Sequence, residues 1–241
     1  KMQRIIELLL KIIKKTKKQV VVLCDDAYEG YVYAEDVASN SIFYELVNLH
    51  PYLIPIKLDG ISKEMLLYGG RLACVTLGLH DNWIEMANQL AINTEWVNKL
   101  QAMIRSTIST ANHAFQEIMV DVLGTGFTHV EIARKAVINE LSKRYQKCLE
   151  SYQKNSHQNT SLDPGGGGFF IFLNVNQISA TKLADHLLKK YQVGLFPNEN
   201  AEEQINGVRI AYCSIPLAEI EPTFIAIHDA VEDLSNEGNV I

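Results

Sequence analysis

Residues 58–78 read LDGISKEMLLYGGRLACVTLG. Lys63 stands in an otherwise apolar run, and Arg71 follows eight residues later, directly behind Gly69 and Gly70. The stretch is bounded by two short apolar segments, YLIPIKLDG (52–60) and RLACVTLG (71–78), each with the length and bounding residues of a strand. Lys63 is therefore expected just beyond the carboxyl end of a strand. Upstream, QVVVLCDD (19–26) reads as a buried strand that ends in two acids.

Working outward, residues 3–15 repeat apolar side chains at helical spacing. Residues 83–110 are mostly helical in pattern, and residues 129–153 form one long amphipathic helix that gives way to KNSHQNTSLDPGGGG (154–168), a polar loop or hinge. The pattern then restarts on a smaller scale. FFIFLNV (169–175) is a strand, residues 180–192 a helix, VGLFP (193–197) and GVRIAYCSI (207–215) strands, and residues 219–234 a closing helix. These readings predict an α/β sheet region, a long connecting helix and a small α+β domain. The chain starts with Lys1 before Met2, and its first strand follows a single helix, as if an α/β domain had been entered halfway. A preceding N-terminal portion is expected on that ground, because so few strands would leave a parallel sheet with uncovered edges.

Composition narrows the function. The chain has 241 residues, 47% hydrophobic and 21% charged, a balance that suits an ordinary globular protein. Its apolar runs are far shorter than the roughly 20 residues of a membrane span, and residues 1–18 show no small-residue cleavage site, so neither a membrane partner nor a signal peptide is expected. A formal net charge of −6 argues against a nucleic-acid partner. Cys24, Cys74, Cys148 and Cys213 lie far apart with no CxxC pair, which predicts a reduced, cytoplasmic protein without a metal site. The seven histidines show no ligand spacing, and His50, His80 and His113 read as structural or surface residues.

Ligands of open α/β sheets bind at the carboxyl ends of strands, where CDDAY and DGISK both fall. An acid, a phenol, a lysine and an arginine would converge there. Pyridoxal phosphate asks for such a set: a lysine for its aldehyde, a carboxylate for its pyridine nitrogen, a donor to its 3-oxygen and a cation for its phosphate.

At these residues the sequence resembles the fold-type I pyridoxal-phosphate aminotransferases of class I/II. DDAYEGYVY (25–33) is similar to the family's Asp-x-Ala-Tyr segment, SKEMLLYGGR (62–71) to its Ser-Lys segment with an arginine eight residues on, and GVRIAYCSIP (207–216) to its C-terminal arginine strand. The resemblance covers the later part of a family member. It implies that residues 1–130 are the second part of the large cofactor-binding domain, a mostly parallel sheet with helices on both faces. Residues 131–241 would be the connecting helix and small α+β domain. It also implies a role for each residue. Asp25 would pair with the pyridinium nitrogen, Tyr28 with the 3-oxygen, Ser62 and Arg71 with the phosphate, and Arg209 with the substrate carboxylate. Lys63 would hold the cofactor as a Schiff base and shuttle the α-proton. The family often has serine or threonine where this chain has Gly60, which leaves Ser62 as the substitute.

The resemblance further implies amino-acid and 2-oxo-acid substrates and a homodimer. A catalytically inactive remnant or cofactor-binding regulatory module, and a lyase on the same scaffold, are the alternatives the residues leave open. A lone loop lysine is ordinarily a solvated charge, and Asp25–Asp26 alone could cap a loop. The three ordered motifs together reverse both readings. The run Gly165–Gly168 precedes a strand and does not open a helix, so it is expected to be a flexible hinge and not a phosphate cradle.

Overall fold

The structure, a computed structural model, describes residues 2–86 and 89–237. Two compact units divide the chain: one runs up to Gly30 and includes Ala38–Ile132, and the other joins Tyr31–Val37 to the residues from Ala133 onward.

In the first unit, helix α1 (Met2–Thr16) sets Ile6 and Ile13 at the centre of an apolar cluster, with Met2, Leu9 and Leu10 partly buried against it. That spacing places them on one helix face. Strand β1 (Val20–Asp25) contributes Val20, Val22 and Cys24 to the same cluster, while the alternate Val21 and Leu23 are 56% and 65% exposed. Helix α2 (Phe43–Leu46) and strand β2 (Leu53–Gly60) complete it with Phe43, Leu46 and Leu53. The short α3 (Ile61–Glu64), strand β3 (Ala73–Leu77) and helices α4 (Asp81–Met86), α5 (Gln89–Thr107) and α6 (His113–Gly124) follow. Ala87 and Asn88, inside the helical stretch expected over 83–110, lie outside the described residues. Helix α6 opens at Asn112, whose side chain accepts from the Phe115 N–H at 3.3 Å.

The sheet order is β1-β2-β3. β1 and β2 are parallel, as expected, but β2 and β3 are antiparallel, so the sheet is mixed and not mostly parallel. Residues 61–72 are spent on α3 and a 3-10 turn at Tyr68–Gly70. With no helical crossover to carry the chain back, the next strand returns beside the last one.

The second unit packs part of helix α7 (Phe127–Lys154), including the buried Leu141, Tyr145 and Cys148, with an antiparallel sheet of order β4-β5-β7-β6. Its strands are β4 (Thr160–Asp163), β5 (Ile171–Val175), β6 (Phe196–Asn200) and β7 (Ile205–Ile210), with helices α8 (Ala180–His186) and α9 (Ile220–Glu237). Strand β4 falls in the stretch expected to be loop. It is a polar edge strand with Ser161 and Asp163 exposed, and so carries no apolar alternation to announce it. Strand β6 begins at Phe196, later than the segment 193–197 suggests, and its Pro197 is tolerated because β6 is also an edge.

The expected hinge at Gly165–Gly168 is instead a fastened turn. Gly165, Gly166 and Gly168 have positive φ, and the Gly168 N–H donates to the Tyr31 carbonyl at 2.8 Å while the Tyr33 N–H donates to the Gly166 carbonyl at 2.9 Å. The Tyr33 and Tyr212 hydroxyls both donate to the Gly168 carbonyl, at 2.9 and 2.6 Å. A Cβ at Gly167 would lie 2.4 Å from the Tyr31 oxygen, so the close backbone approach requires glycine.

Leu173, in β5 between β4 and β7, is fully buried. Leu173→Ala is expected to cost about 2–5 kcal/mol of stability, since the rigid sheet cannot collapse around the lost methyls. Urea unfolding of both proteins measures it, and a loss well under that range would mean that this layer is loosely packed.

Candidate active site

Sheet register brings the site together. Asp25, the last residue of β1, lies opposite Leu58 of β2, so the carboxyl ends of the two parallel strands are neighbours. β3 enters with Ala73 opposite Gly60. The turn after β1, the turn after β2 and the approach to β3 therefore meet at one end of the sheet, where open α/β sheets hold their ligands.

A cavity of about 260 Å³ lies there, lined by Asp25, Asp59, Gly60, Ser62, Lys63 and Arg71 among others. Asp25 is exposed and its Oδ1 accepts from the Ala27 N–H at 3.4 Å, which turns the chain toward Tyr28. Lys63 Nζ lies 6.0 Å from the centre of the Tyr28 ring. Arg71 has a left-handed backbone, φ 53°, and its Nη1 donates to Ser62 Oγ at 3.3 Å and to the Tyr68 carbonyl at 3.1 Å. Arginine and serine are thus close enough to grip one anion.

The two glycines before Arg71 differ in role. A Cβ on Gly70 would fall 2.6 Å from Ile61 Cδ1 and 2.9 Å from Phe115 Cδ1, whereas Gly69 has open space. Gly70 thus lets the arginine turn pack against α3 and α6. At Gly60 the backbone is extended and a Cβ would meet only the Leu72 carbonyl at 3.5 Å, so steric room does not account for glycine there. Helix α3, which carries Lys63, is one turn long. Little macrodipole accumulates over four residues.

Arg209 belongs to the second unit. It is exposed on β7 between the buried Val208 and Ile210, with its guanidinium 4.5 Å from the Phe170 ring centre and 5.0 Å from that of Phe196. Two rings hold the planar group by cation–π contact while its edge stays available for a carboxylate.

The structure adds groups that the motifs did not single out. Lys57 of β2 is 5% exposed, on the inward side of a strand whose Leu53 and Pro55 are also buried. Its ammonium is 2.7 Å from Glu29 and 3.8 Å from Asp26, donates to Asp59, and lies 5.9 Å from the Tyr44 ring centre. Ser41 donates from Oγ to Asp26 at 2.6 Å and from its N–H to Glu29 at 3.0 Å. The signal that could have found Lys57 is its parity: it occupies an inward position of an alternating strand.

Burial opposes the charge on Lys57, yet the hydrogen bonds it donates to Asp59 and Glu29 outweigh it and raise the pKa above the ordinary lysine value. This contribution to stability is complete below the unfolded lysine pKa and is lost only as pH rises through the higher folded value. Burial also raises the Asp26 carboxyl, against the lowering effect of Ser41 and Lys57, and raises the Cys24 thiol, with Asp26 adding to it. Asp26 thus favours the fold when protonated and loses that contribution as pH rises through its raised value, so Lys57 matters most where Asp26 is ionised.

A profile of the family described as aminotransferase class I and II matches residues 6–227. The chain belongs to this family, and membership implies pyridoxal 5′-phosphate as its cofactor. Comparison of the sequence with curated proteins finds no significant match. Among solved structures it resembles an aminotransferase from Anaerococcus prevotii, with TM-score 0.76 and 19% identity over 95% of this chain and 51% of that one. It also resembles LysN, the α-aminoadipate aminotransferase of Thermus thermophilus, complexed with N-(5′-phosphopyridoxyl)-L-leucine, with TM-score 0.70 and 20% identity over 96% of this chain and 54% of that one. A third is the kynurenine aminotransferase of Pyrococcus horikoshii, with TM-score 0.73 and 18% identity over 95% and 51% of the two chains. The chain spans about half the length of these structures. Identities this low speak for the shared fold. Among the described residues no helix is long and apolar enough to cross a membrane.

Proposed function

We propose that the chain serves a pyridoxal-phosphate-dependent aminotransferase that moves an amino group from an α-amino acid to a 2-oxo acid. The carrying observation is the gathering of Asp25, Ser62, Lys63 and Arg71 around one cavity at the carboxyl ends of β1 and β2. This donor set fits the group: an amine for an aldehyde, a carboxylate for a ring nitrogen, and a hydroxyl and a guanidinium for a phosphate. When bound, the cofactor supplies an electron sink for charge released at the substrate Cα.

The chain's residues supply position and proton movement. Asp25 holds the proton on the ring nitrogen, and Tyr28 donates to the 3-oxygen. Ser62 and Arg71 fix the phosphate end, which their 3.3 Å separation supports. Lys63 Nζ would hold the cofactor's aldehyde until the substrate amine displaces it, and the amine so freed would move the proton from the substrate Cα to the cofactor's C4′. Arg209 binds the substrate carboxylate through its planar fork. In this reading residues 1–130 are the later part of a large cofactor-binding domain, and residues 131–241 a connecting helix and a small α+β domain. The four free thiols favour a reducing compartment such as the cytoplasm. Exposed Met103, Ile108 and Val120, at 62%, 63% and 65%, support a covering partner surface, which we assign to a homodimer.

Four measurements test this reading in the full native polypeptide. Borohydride reduction after loading with pyridoxal phosphate should fix the label on the peptide containing Lys63, and a label elsewhere would sink the assignment. Arg71→Ala should weaken cofactor retention by about 1.5–3 kcal/mol. Arg209→Ala should instead leave retention nearly unchanged and weaken the spectral response to amino acids; equal loss of cofactor in both variants refutes this division. Sedimentation at micromolar concentration should give a dimer, and a stable monomer would remove the proposed partner surface.

A further inference from the structure

Two residues before the cavity-lining Asp59, Lys57 is drawn into the first unit with a side chain 6% exposed. Among the described residues, the charged or titratable groups facing it come from four places: Cys24 on β1, Asp26 and Glu29 in the turn after β1, Tyr44 on α2, and Asp59 on β2 itself. The turn carrying Asp26 and Glu29 also carries Asp25 and Tyr28, while Asp59 lines the cavity and leads through Gly60 to Ser62 and Lys63. One ammonium thus touches both segments that present the cofactor groups.

Resting on the aminotransferase reading, we infer that Lys57 is a positioning residue for the cofactor pocket. Through Glu29 and Asp26 it fixes the turn that presents Asp25 and Tyr28, and through Asp59 it fixes the end of β2 that presents Ser62 and Lys63. Stability alone gives a weak reason for this cation, because apolar residues of similar volume often replace buried ion pairs at no loss. Geometry gives a stronger one: the ends of β1 and β2 must keep their spacing for a rigid ring to meet groups on both. The three carboxylates, left without their cation, would repel one another and spread that end of the sheet.

The test uses Lys57→Met and Lys57→Arg in the full native polypeptide, with folding followed by circular dichroism and pyridoxal phosphate as the probe. Lys57→Met should fold and retain the cofactor roughly tenfold less tightly or worse, as is usual when a group that orients binding residues is removed. Its visible band should also fade at higher pH than in the wild type, because Asp26, Glu29 and Asp59 would then favour the protonated form of the labelled amine. Lys57→Arg keeps the charge and should restore the pH of fading. A folded Lys57→Met protein with wild-type retention and an unshifted pH overturns the inference, even where wild-type labelling falls on Lys63 and the site reading stands. Labelling of the wild type at another residue, or none, overturns both. If Lys57→Met does not fold, Glu29→Gln carries the test: it leaves the cation two carboxylates and should loosen retention about threefold or more, and unchanged retention overturns the inference.

Discussion

One buried ammonium among three carboxylates organises the first unit. A lysine on the inward face of β2 is far from water, and the chain compensates by bringing Asp26, Glu29 and Asp59 to it. Asp26 and Glu29 can reach Lys57 only if the turn after β1 folds back over the end of β2. The buried Ser41 then fastens the turn, donating to both acids. Asp25 and Tyr28, carried on that turn, gain their direction from neighbours that never face the cavity.

Strand direction supplies the other half of the arrangement. A parallel pair puts two carboxyl ends side by side, and an antiparallel third strand brings its amino end to the same place. Arg71, just before β3, thereby joins Ser62 and Lys63, just after β2, across the closed turn that Gly70 permits. The 3.3 Å contact between Arg71 and Ser62 is a product of that reversal.

The second unit is built by a different rule. Its sheet is antiparallel throughout, and its glycine run is pinned by Tyr31, Tyr33 and Tyr212. Burial raises the pKa of the Tyr33 and Tyr212 phenols, so both remain neutral donors to the glycine carbonyls. Arg209, on the outer side of the same sheet, is set between two aromatic rings in a fixed plane. Family membership gives these features a common context, and the chain spans about half the length of the related structures.

Local pattern was enough to determine that Asp25 and Lys63 stand at strand ends, that β1, β2 and β5 are strands, and that α7 is one long helix. Those properties follow from residue type and period along a few neighbouring positions. The cavity-lining Asp25, Ser62, Lys63 and Arg71 were legible for the same reason, since they lie with Tyr28 in two short ordered motifs. Strand β4 was not legible, because a polar edge strand has no apolar period. The direction of β3, the fastening of Gly165–Gly168 to Tyr31, and the meeting of Lys57 with Asp26 and Glu29 belonged to the tertiary structure alone. Each depends on register between segments distant in sequence, and a buried charge reveals its partners only once the strands that enclose it have paired.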